Sequence, residues 1–185
     1  MGEAVTLLPE WESFYVILGS SAAVLTGLVF VAITLAPEIR RRRSDEAIWA
    51  GVGAFHTPTV VHLGAVLIIA ALLTAPWHEL SNAGATVAIV GLAGILYALL
   101  TLRRLRRLGN YQPEIEDWLW YTLVPLVAYT ILTIAALLLP RNPTRALFGL
   151  GAVALLLLLL GLRNAWDLVT YTTAQRAQQD DEREP

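Results

Sequence analysis

The chain has 185 residues, 56% of them apolar, a formal net charge of −2, no cysteine and no lysine. Without cysteine there is no disulfide, thiolate metal site, iron–sulfur ligand or thiol nucleophile. Without lysine there is no Schiff base and no Walker-type phosphate loop. Five apolar stretches, roughly 13–36, 50–75, 84–102, 118–139 and 146–172, use up nearly the whole chain. Each is long enough for a helix to cross roughly 30 Å of hydrocarbon, which takes roughly 20 residues. The expected fold is an all-α membrane protein: one compact bundle of five transmembrane helices over residues 1–173, followed by a polar tail over 174–185.

The opening stretch MGEAVTLLPEWES carries acids and no base. A secretory signal peptide starts with a positive region, so the first span is expected to be retained. Gly19, Ala23 and Gly27 place a small residue at every fourth position of span 1, a pattern that lets helices approach closely. Arg40, Arg41, Arg42 and Arg43 fill the first connection. Span 2 carries FHTPTVVHL, where His56, Thr59 and His62 recur at i, i+3 and i+6 as a slowly rotating polar stripe. Pro58 frees the carbonyl of Ala54 and is expected to kink the helix. The second connection, APWHELSNAG, has no base. Gly84, Gly91 and Gly94 are packing positions of span 3, which closes on Arg103, Arg104, Arg106 and Arg107. Span 4 enters with Trp118, Trp120, Tyr121 and a second kinking proline, Pro125, and PRNPTR follows it. The last span runs apolar to Leu162, then continues at helical spacing as RNAWDLVTYTT. The tail AQRAQQDDEREP is polar and is expected to be frayed or disordered.

Short arginine-rich connections stay on the cytoplasmic side. Eight arginines in the first and third connections, against two (Arg141 and Arg145) in the fourth, give N-terminus out and C-terminus in. All six tryptophans fall at span ends, the headgroup level that indole prefers. The eight arginines are expected to hold this topology and to touch anionic lipid headgroups, not nucleic acid.

His62 lies near mid-span, where lipid offers no hydrogen-bond partner. It is expected to be neutral and bonded to a neighbouring helix or a trapped water. Asp167 follows Arg163 by four residues, so the two share a helix face and are expected to pair, with Asn164 and Tyr171 flanking them. One reading is an ion pair snorkelling to the interface beside Trp166; the other is a polar face lining an inner vestibule. His56 and Arg163 both lie about 10 Å in from the inner ends of their helices, at about 1.5 Å per residue. The candidate polar site is therefore His56, Thr59, His62, Tyr121, Arg163, Asn164 and Asp167. Haem needs facing axial histidines, a zinc protease needs H-E-x-x-H and a serine hydrolase G-x-S-x-G. The chain carries none of these patterns, so no cofactor, metal site or catalytic group is expected.

The stretches SSAAVLTGLVFVAITL and GLRNAWDLVTY resemble those of small, uncharacterised bacterial five-span inner-membrane proteins, with Arg163, Asn164, Trp166 and Asp167 the more distinctive part. The resemblance implies a helical bacterial inner-membrane protein and no particular activity.

An odd helix number disfavours a transporter built of two inverted halves. The functional expectation is an oligomeric permeation protein for a small solute or ion, protons included, with its path along the His56/His62 stripe. The alternative is a membrane-embedded structural or regulatory subunit without transport activity. The lipid bilayer, a second copy of the chain and another membrane protein are the expected partners.

Overall fold

The computed structural model describes residues 7–35, 46–107 and 119–181. These residues form five helices: α1 (Leu7–Leu35), α2 (Glu46–Leu73), α3 (Leu80–Arg107), α4 (Val124–Leu138) and α5 (Pro143–Asp181). A π-helical turn, Leu119–Leu123, leads directly into α4. Arg40 to Arg43, the first connection and Trp118 lie outside the described residues.

Local chemistry accounts for the helix ends. Pro9 and Glu10 sit in the first turn of α1, where a missing N–H costs nothing and a carboxylate meets the positive end of the helix dipole. Pro143 opens α5 in the same way. The α4–α5 link is one tight turn, with Arg141 N and Asn142 N donating to the Leu138 carbonyl at 3.0 and 2.9 Å. A link that short makes the two helices antiparallel neighbours. Trp77, in the α2–α3 link, donates its indole N–H to the Leu72 carbonyl, which also accepts the Ala75 N–H at 3.3 Å at the end of α2.

Two elements differ from expectation. Pro125 does not interrupt span 4; it stands in the first turn of α4, and the wider π turn before it takes up the strain its ring puts on the preceding backbone. The tail is not frayed through its whole length, because α5 continues to Asp181. Ala, Gln and Arg in AQRAQQ are strong helix formers, and they extend a helix already nucleated upstream.

Among the described residues, three helices are long and apolar enough to cross a membrane: Leu7–Ala32, Leu80–Arg103 and Pro143–Asp167. The apolar parts of the other two are shorter, Pro58–Leu73 and Val124–Leu138. Half of the α5 stretch is buried, against 28% for α1 and α3, so α5 is the central helix. It packs on α1, α2 and α4, while α3 covers the outer side of α4. Large apolar side chains cover the outside: Ile17, Val24, Ile89, Leu92, Leu137 and Phe148 are each more than half exposed. So broad an apolar exterior is rare on a water-soluble monomer, and the molecule is compatible with a membrane protein.

The glycines divide by environment. A Cβ on Gly91 would run into Thr133, and one on Gly94 into the Tyr129 ring; both let α3 press against α4. Gly19 faces Ala70 of α2, whereas Ala23 is exposed and Gly27 has open space beside it. Among the described residues, Gly19 is the glycine of this repeat that is pressed against another helix.

Candidate functional site

The core face of α2 is Thr59, His62, Leu63, Val66, Ile69, Ala70 and Leu73. Their spacing follows the i, i+3, i+4, i+7 rule of one helix face. His62 is carried inside by this register and is 1% exposed. Its Nδ1 lies 3.0 Å from the hydroxyl of Tyr129 on α4, and the two share a hydrogen bond whose direction follows the imidazole tautomer. The rings are 5.8 Å apart, and Tyr97 of α3 presents its ring nearly edge-on to His62 at 6.4 Å. Three helices thus meet at one polar point.

Tyr129 is held from two sides. Thr133 donates its hydroxyl to the Tyr129 carbonyl at 2.9 Å, and the missing side chain of Gly94 makes room for the ring. Neither tyrosine stood out in the sequence. The signal was a single tyrosine midway along the apolar run VPLVAYTILTIAALL, with glycines in the preceding span to receive it. A second cross-helix bond sits near the start of α5, where Tyr15 donates to the Leu147 carbonyl at 3.4 Å.

The core face of α5 runs Leu150, Val153, Ala154, Leu157, Leu160, Gly161 and Asn164. Asn164 is the next step of the same register, which explains its 1% exposure. Gly161 packs against Leu63. Because α2 and α5 run in opposite directions, Thr59, four residues before Leu63, and Asn164, three residues after Gly161, come to about one level. Both helices turn polar there, at the end that carries Trp120.

Arg163 is half-buried. Its guanidinium carbon lies 4.2 Å above the Trp120 ring, and its Nη1 is buried without a hydrogen-bond partner. Asn164 Nδ2 and Thr122 Oγ1 are buried and unpartnered too. Asp167, one turn beyond Arg163, is half-buried and has contacts of its own. The side chains of His56, Tyr121, Arg104, Arg106 and Arg107 lie outside the described residues, and Arg103 is exposed. Of the expected site residues, Thr59 and Asn164 share one level, His62 bonds α4, and Arg163 meets the residue beside Tyr121.

Compared with protein-family models, curated proteins and solved structures, the chain matches none. The site is read on its own geometry. Among the described residues no group of three or more His, Cys, Asp or Glu side chains stands close enough to hold a metal. The His62–Tyr129 pair contains no carboxylate, so it offers one shared proton between neutral groups. Such a contact joins helices in lipid, where each unpaired polar group is costly.

Proposed function

We infer that the chain is a multi-pass protein of the bacterial inner membrane, with all five helices spanning, N-terminus out and C-terminus in. We further infer that it acts as a membrane-embedded structural or regulatory subunit. The observation carrying this second reading is the burial of His62 against Tyr129. A conducting path needs wet side chains at mid-membrane, and this one is closed by another helix. Five spans are supported by length: α2 has 28 residues, and the 15 residues of α4 with the five-residue π turn before it reach about 30 Å. The arginine distribution supports the orientation. The exposed Ala23 and Gly27 face of α1 suits a second copy or another membrane protein.

Permeation of a small solute or ion stands as the second reading. It is favoured by the unpartnered Thr122, Arg163 and Asn164 atoms, which water entering from the cytoplasmic end would satisfy.

Two measurements test these readings. Reporter fusions at the termini are expected to lie in opposite compartments; both on one side would remove the five-span arrangement. For function, His62→Ala is expected to lower stability or complex recovery while purified protein in liposomes shows no proton or solute flux. Flux in the wild type that changes in amount or pH dependence on His62→Ala would select permeation instead.

A further inference from the structure

We propose that the cytoplasmic-side end of the bundle holds an oxyanion site, in which Arg163 and Asn164 donate to a phosphate- or carboxylate-class group beside Trp120. The site follows from the donor inventory and holds under either reading of function.

Arg163 interrupts the run LLLLLLGL at the point where α5 nears the end of its apolar stretch. An arginine at that depth is retained when something pairs with it. The guanidinium carbon sits 4.2 Å over the Trp120 ring, a cation–π contact that leaves the N–H donors of the group to find acceptors elsewhere. One edge nitrogen, Nη1, is buried with nothing to donate to. Asn164 is the next residue, 1% exposed, and its Nδ2 is in the same condition. A guanidinium nitrogen and an amide nitrogen can only donate. Two orphan donors of one kind, on adjacent residues of the central helix, require an acceptor, and the positive charge selects an anionic one. Trp120 itself is presented by a π-helical turn, a deviation that recurs at functional sites.

Two sources supply this chemistry: the phosphate of an anionic lipid headgroup at the inner leaflet, and a soluble anion entering from the cytoplasm. The arginine clusters of the connections also attract anions, so substitutions at Arg163 and Asn164 separate the two effects.

The test uses the full chain purified in neutral maltoside detergent, titrated in one arm with phosphatidylglycerol and in the other with inorganic phosphate. Binding is read from the rise in unfolding temperature and, for the lipid, from native mass spectrometry. The wild type is expected to bind one or both. Saturation by lipid alone identifies a headgroup, and binding of inorganic phosphate identifies a soluble anion. Arg163→Gln and Asn164→Leu are each expected to weaken that binding about tenfold or more, the factor carried by one hydrogen bond to a charged group. If Arg163→Gln fails to fold, Asn164→Asp replaces it: the side chain keeps its size and places a negative charge in the site, which should abolish binding. A wild type that binds neither anion, or variants that bind as the wild type does, would overturn the site and leave the donors to water.

Discussion

Gly94→Ala is expected to destabilise the protein by about 1–3 kcal/mol, the usual cost of forcing extra volume into a packed core. The added methyl group would overlap the ring of Tyr129, and that ring has little freedom to retreat. Its hydroxyl is bonded to His62, and its backbone carbonyl is tied to Thr133. The damage should therefore spread from the α3–α4 contact to the α2–α4 bond. Gly27→Ala is the matched control, because nothing lies within 4 Å of the position a side chain would take. There alanine should stabilise by about 0.5–1 kcal/mol, since glycine is the poorer helix former. Thermal unfolding of both variants in detergent would read the contrast. A loss of stability at Gly27→Ala would instead show that the Ala23–Gly27 face packs against a helix outside this chain. Equal, small effects at both sites would mean that α3 and α4 are not pressed together at Gly94.

A second large effect is expected at His62. Converting it to alanine removes a buried ring and leaves the Tyr129 hydroxyl without its partner. The loss should be about 2–4 kcal/mol, in the range of other large-to-small core changes. Tyr129→Phe keeps the ring and removes only the hydroxyl, so about 1 kcal/mol is expected. The double-mutant cycle isolates the bond itself. Cross-helix hydrogen bonds in membranes are worth about 0.6 kcal/mol on average and about 1.7 at most. Most of the cost of His62→Ala should then come from the cavity rather than from the bond, and the coupling should fall between those two values. Strictly additive effects would mean that the pair does not form. A His62→Ala protein as stable as the wild type would mean that the histidine is not in the core at all.

The features legible in the sequence are those that apolar patterning dictates residue by residue. Apolar length marks the helices, although Pro58 stands inside α2 without ending it. The apolar stretches read that way overlap Leu7–Leu35, Glu46–Leu73 and Leu80–Arg107, and the helix ends fall up to six residues away from them. That His62 requires a partner also follows from its place in a long apolar run, since a buried polar group without a hydrogen bond is costly. Which partner it takes does not. Tyr129 is 67 residues away, and the contact exists only because Gly94 lets α3 and α4 close around the ring. Arg163 makes the same point. Its spacing from Asp167 places the two on one helix face, and the fold also sets its guanidinium over Trp120, a residue delivered by another element. The central place of α5 was equally hidden, because its sequence is apolar all round and burial depends on which neighbours surround a helix. Spacing along one helix is local and can be read in order; the pairing of polar groups between helices depends on crossing geometry, which only the assembled bundle decides.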